Sequence, residues 1–158
     1  MGYTHYWTFN KSIGKLEDLE RKYQLAIKEC NKVIRYYNKT IKLIDNKHYG
    51  RLSGYSAFTN KYGGININGV DKYAHETFVL REHFMLIFNM TFKCGFNFCK
   101  TAEKPYDIVV VACLSILKYR LGSAIDVSSD GDKPDWTGGV DLACKVIKRK
   151  ILNPIERG

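Results

Sequence analysis

His5 and His75 are two acid–base candidates, and Lys100 and Lys104 are two cations suited to phosphate. Ser128, Ser129 and Asp130 form a turn rich in hydroxyls and carboxylate, while Thr101, Tyr106 and Asp107 stand beside the lysines in FCKTAEKPYD (Phe98 to Asp107). Residues of these types suit an anionic, nucleotide-like ligand. Ammonium groups and the free N–H groups of a helix start hold phosphate. Tyr6, Trp7, Tyr106 or Trp136 can stack on a base, and Ser128 and Asp130 can hold ribose hydroxyls. No complete catalytic signature accompanies them: G-x-S-x-G, the phosphate loop, H-E-x-x-H and G-x-G-x-x-G are all absent. Two histidines on separate strands can still serve as base and acid in a phosphodiesterase or nucleosidase. The tandem His-x-Thr pattern is incomplete, however, because Tyr6 and Trp7 separate His5 from Thr8.

Such a set needs elements that bring it together. From Tyr106 to Leu121 almost no polar face remains, which predicts a helix buried on all sides. Pro105 suits its first position, Asp107 its first turn and Gly122 its end. Ala124 to Ser128 alternates like a half-buried strand, with Ile125 and Val127 facing one way. If that strand returns antiparallel along the helix, Ser128–Asp132 lies beside Lys100–Asp107. His5, His75, Lys100, Lys104, Asp107, Ser128 and Asp130 would then converge at the N-terminal end of the helix. The competing reading makes Asp130 a turn cap, Asp107 a helix-start residue and the histidines core residues.

Gly2–Phe9 reads as a strand with Tyr3, His5, Trp7 and Phe9 on one face. A long helix from about Ile13 to Ile44 carries an apolar seam, Leu16, Leu19, Tyr23, Ile27, Cys30, Ile34, Tyr37, Ile41 and Ile44. At about 1.5 Å per residue it spans about 45 Å, more than one small domain covers, which predicts self-association as a homodimer or higher oligomer. Glu17, Asp18, Glu20 and Glu29 interleave with its Lys and Arg residues, favouring a solvated face over phosphate tracking. Asn46–Lys61 reads as a loop, Gly64–Val70 as a short strand, and Tyr73–Glu82 as its partner with Phe78 and Leu80 inward. His83–Phe98 reads as strand-like, and a last helix opens at Asp135 and is closed by Pro154. The expectation is one α+β domain over residues 1–158, with a mostly antiparallel sheet around the buried central helix.

A net charge of +9 favours anionic partners, and 45% hydrophobic residues suit a packed globule. Five cysteines, an odd number partly on apolar helix faces, read as reduced thiols of a cytoplasmic protein. Cys94 and Cys99 have no second pair or nearby His at zinc-finger spacing, so no metal and no cofactor is expected. No leader or membrane-spanning run is visible, so no membrane partner is expected either.

GYTHYW (Gly2 to Trp7), HETF (His75 to Phe78), FCKTAEKPYD and SSDGD (Ser128 to Asp132) resemble, in that order, a family of small proteins encoded by tailed bacteriophages and prophages. The likeness spans nearly the whole chain; the Lys-rich helix and HFMLIFNMTF depart from shorter members. The resemblance implies a polar site assembled from four segments, acting in the cytoplasm of an infected bacterial host. Such proteins are similar in kind to counter-defence proteins that sequester or destroy nucleotide immune signals. The expected function is therefore sequestration of a nucleotide-derived anion, such as a cyclic ADP-ribose-type or cyclic oligonucleotide signal. The alternatives are its cleavage through His5 and His75, or nucleic-acid binding.

Overall fold

Alternation along β1 (Thr4–Phe9) turns His5, Trp7 and Phe9 inward and leaves Tyr6 and Thr8 facing out. The structure, a computed structural model, describes residues 2–44, 49–58, 63–90 and 95–156. β1 is the middle strand of a three-stranded antiparallel sheet, between β4 (Phe96–Lys100) and β5 (Ile125–Ser129). A separate antiparallel pair joins β2 (Ile65–Ile67) to β3 (Phe78–Leu80), with Phe78 and Leu80 buried. The helices are α1 (Leu16–Ile44), α2 (Tyr55–Phe58), α3 (Phe84–Met90), α4 (Asp107–Leu121) and α5 (Lys133–Ile147).

The chain is an α+β protein with α4 at its centre. Every residue of α4 from Val109 to Leu117 is buried, and α1 and α5 both pack on it. A side chain on Gly139 would lie 2.4 Å from Val111 Cγ1, so the bare backbone lets α5 approach α4 closely. Arg120 of α4 forks onto Glu29 of α1 with two bonds of 2.7 Å, fixing the helices in register. Among the described residues no helix is long and apolar enough to cross a membrane.

The apolar seam of α1 is covered from within. Leu19, Tyr23, Ile27, Cys30 and Ile34 are buried in the core, Tyr37 packs against it, and Gly50 closes over Tyr37 and Ile41. The chain's own elements thus cover the seam from Leu19 to Ile34, while Leu16 at its start is exposed.

Several boundaries differ from the pattern reading, some because of a tertiary partner and others because of local capping. His83–Phe98 begins as α3, not as strand: the Glu20 carboxylate of α1 accepts the Phe84 N–H at 2.8 Å and caps the helix from outside. Phe84 then packs edge-on with Phe9 and Phe88. Residues 91–94, with Cys94, lie outside the described residues. Tyr73–Glu82 is strand only at Phe78–Leu80, because the Asn68 side chain bonds both the N–H and the carbonyl of His75. α4 starts at Asp107 and leaves Pro105 in the preceding turn. α5 starts at Lys133, where Asp132 and Asp135 form a capping box and Pro134 occupies the first turn. It ends at Ile147 with Lys148 left-handed (φ 56°), well before Pro154.

Candidate functional site

Because β1 runs antiparallel to both neighbours, its first residues meet the last residues of β4 and β5 at one end of the sheet. α4 and α5 begin just beyond those strand ends, so two helix N-termini lie at the same place. The inner side of this junction is a chain of buried polar groups. His5, fully buried, has Nδ1 2.8 Å from Ser129 Oγ and Nε2 2.6 Å from Asp107 Oδ1. Thr101 donates its hydroxyl to the same Asp107 oxygen at 2.5 Å, and the Gly131 N–H donates to Ser129 Oγ at 2.9 Å. With Asp107 ionised, Nε2 carries the proton facing it, and in the neutral ring Nδ1 then accepts from the Ser129 hydroxyl.

Tyr3 and Trp136 close this chain off, each edge-on to His5 at 5.1 Å between ring centroids. The Tyr3 hydroxyl shares a hydrogen bond with Ser129 and lies where a side chain on Gly131 would have to go. Burial first, and then the Asp107 carboxylate, push the Tyr3 phenol up to about 12. Burial and Glu76 likewise push the Cys99 thiol up to about 12, and burial raises Tyr106 well above its ordinary value. The turn leading into α4 is strained: Ala102 and Glu103 both have positive φ, 52° and 56°. Each such residue costs about 1–3 kcal/mol. Two hydrogen bonds to the Tyr3 carbonyl, from Thr101 N–H and Ala102 N–H, hold that turn.

Ser–His–Asp is the order of a nucleophilic relay. Here Ser129 Oγ is buried and surrounded by His5, Gly131 and Tyr3, so the arrangement serves as a clamp joining β1, β5, α4 and α5. His75 does not join it. His75 is exposed, with Nδ1 2.9 Å from the Lys100 carbonyl, on the edge of β4 away from β1. His5 and His75 therefore do not share a pocket. Trp7 is a core residue against Phe78, and Tyr106 is buried with its hydroxyl donated to the Glu76 carbonyl.

The other sequence-nominated residues lie on the outer face, which the strand register sets out in rows. Phe98, Tyr6 and Ser128 form one row across β4, β1 and β5, and Phe96, Thr8 and Asp126 form the next. Toward the junction, Lys100 stands beside Thr4, whose N–H and carbonyl both bond Asp130. Asp130 also accepts the Tyr6 hydroxyl at 3.2 Å. Phe98 is 57% exposed; Tyr6 stacks on Phe96 at 6.5 Å, and Phe96 lies 6.1 Å from Phe98. Beside this platform an open groove of about 490 Å³ runs between β5 and the tail, lined by Tyr6, Asp126, Ser128, Pro154 and Glu156 among others. Lys104 sits in the strained turn, its N–H donated to the Thr101 carbonyl.

No family model, curated protein or solved structure matches the chain. Pattern reading missed Phe96 and Phe98 because it ran them into a longer strand-like block. Their alternation with Asn97 and Cys99 was the available signal. Tyr3 was placed on the correct face, but nothing in its type marked it as the cover of Ser129.

Proposed function

We propose that the protein holds a nucleotide-derived anion on the outer face of its three-stranded sheet and does not cleave it. One observation carries this reading: Phe98 is exposed beside Tyr6, in a row that ends at Ser128, with Lys100 two residues along the same strand. At roughly 3.4 Å per strand residue, Lys100 and Phe98 are about 7 Å apart, a separation suited to the phosphate and base of one nucleotide. Stacking on such rings contributes about 1–3 kcal/mol per base.

The acids restrict the pose. Asp126 and Glu156 line a groove whose lining has Lys118 as its one cation. At the other end Asp130 is engaged by Thr4 and Tyr6 and Glu76 by the Lys100 N–H, so the phosphate is assigned to the Lys100 and Lys104 end. The groove then receives sugar hydroxyls on Ser128 and Asp126. The resemblance to phage-encoded proteins supports a host immune signal, such as a cyclic ADP-ribose-type or cyclic oligonucleotide molecule, as the ligand.

The test is calorimetric titration with cyclic dinucleotides, cyclic ADP-ribose and mononucleotides, followed by heating and recovery of the ligand. Binding that Phe98→Ala weakens by about 2 kcal/mol, with the ligand recovered intact, is the expected result. Recovery of cleavage products, or binding indifferent to Phe98, would overturn it.

A further inference from the structure

We infer that the exposed face shared by α1 and α5 binds the phosphate backbone of a nucleic acid. Lys28, Lys32, Tyr36 and Lys39 recur at helical spacing along one side of α1, with Arg35 beside them. The three lysines and Arg35 are exposed and form no ion pair among the described residues. The C-terminal end of α5 reaches the same place: Lys145 lies over the Tyr36 ring at 5.5 Å and lowers the Tyr36 phenol below its ordinary value through a hydrogen bond. Lys148, Arg149 and Lys150 follow directly, all exposed.

The acids that speak against this face in the sequence are elsewhere in the fold. Glu29 is buried against Arg120, Glu20 is bonded to His83 and the start of α3, and Asp18 is beside Arg21 in the first turns. Glu17 stays in the first turn of α1, the buried Glu29 is its one acid past Glu20, and past Asp135 α5 has only Asp141. From Lys28 to Lys39 the row spans about 16 Å at about 1.5 Å per residue. A DNA duplex presents one charge per roughly 1.7 Å of axis, so a row of this length faces several phosphates. No exposed large apolar side chain interrupts α1 between Lys28 and Lys39. A lipid surface, which needs an apolar face to enter, fits less well. This inference is independent of the sheet-face reading, because it uses neither Phe98 nor Lys100.

Fluorescence anisotropy with a labelled random-sequence DNA duplex and the matching single strand, from 50 to 200 mM salt, tests it. Binding should weaken with a log–log slope between about −4 and −7, about 0.9 counterion for each of the four α1 cations and for those at the end of α5 that reach phosphate. Lys32→Glu with Lys39→Glu should weaken binding at least tenfold, and Lys145→Glu with Lys148→Glu should do the same independently, with circular dichroism unchanged. Phe98→Ala should leave it unaltered. Absence of binding to both DNAs at 50 mM salt, a slope near zero, or an equal loss in Phe98→Ala would overturn the proposal. So would capture by anionic lipid vesicles with no DNA binding.

Discussion

The two faces of the three-stranded sheet put opposite kinds of side chain to opposite uses. On the inner face the residues with the most reactive chemistry, His5, Ser129 and Asp107, bond one another and are closed off by Tyr3 and Trp136. On the outer face ordinary aromatic residues, Tyr6, Phe96 and Phe98, remain accessible beside Lys100 and Ser128. Successive residues of β1 belong to different faces, so His5 and Tyr6 are neighbours in sequence and unrelated in role. Residue type is thus a poor guide to which face is functional; access to solvent and satisfaction of hydrogen bonds separate the two.

Substitutions on either face can break that contrast. The largest effect is expected from His5→Ala, which leaves Asp107 and Ser129 without their central partner inside the fold. A loss of about 3 kcal/mol in unfolding free energy follows from stranding buried polar groups, read from the urea midpoint. A loss below about 1 kcal/mol would mean that the junction is not a clamp. Tyr6→Ala, the adjacent residue, should cost less than His5→Ala; equal losses would erase the distinction between the faces.

Next in size, Phe98→Ala should weaken nucleotide binding by about 2 kcal/mol while leaving the melting temperature nearly unchanged. A smaller particle in light scattering for this variant would assign the face to self-contact instead. Lys100→Ala should weaken binding of an anionic nucleotide by about 1 kcal/mol and have no effect on an uncharged nucleoside, measured by titration of both. Equal effects on the two would remove the phosphate from Lys100.

The smallest effect concerns alkali. The Tyr3 phenol ionises at about 12 in the folded chain against about 10 when unfolded. Between those values the unfolded state loses its proton while the folded state keeps it, so stability falls as pH rises through that window. Cys99, raised from 9.0 to about 12, starts the same decline earlier. Tyr3→Phe should flatten part of the decline in a series of urea midpoints from pH 9 to 12. An unchanged slope would show that Tyr3 is not held at the buried junction.

Much of this was legible in the chain itself. The unbroken apolar run of α4 demands burial on every side, the period-two pattern of β1 assigns its faces, and the long seam of α1 demands a partner. Of the residues expected to converge, His5 and Asp107 do meet at the start of α4, while Lys100, Ser128 and Asp130 lie on the outer face and His75 on the far edge of β4. What periodicity cannot express is who the partner is. α4 and α5 cover much of the α1 seam, and a carboxylate on α1 turns a Phe-rich, strand-like block into α3. The same limit applies to the candidate site. An apolar or alternating pattern says that a side chain is buried, but only the packed structure decides whether a buried histidine is sealed or open. Cross-strand register and the cover supplied by Tyr3 and Trp136 are long-range contacts, and those contacts left His5 enclosed and Phe98 free.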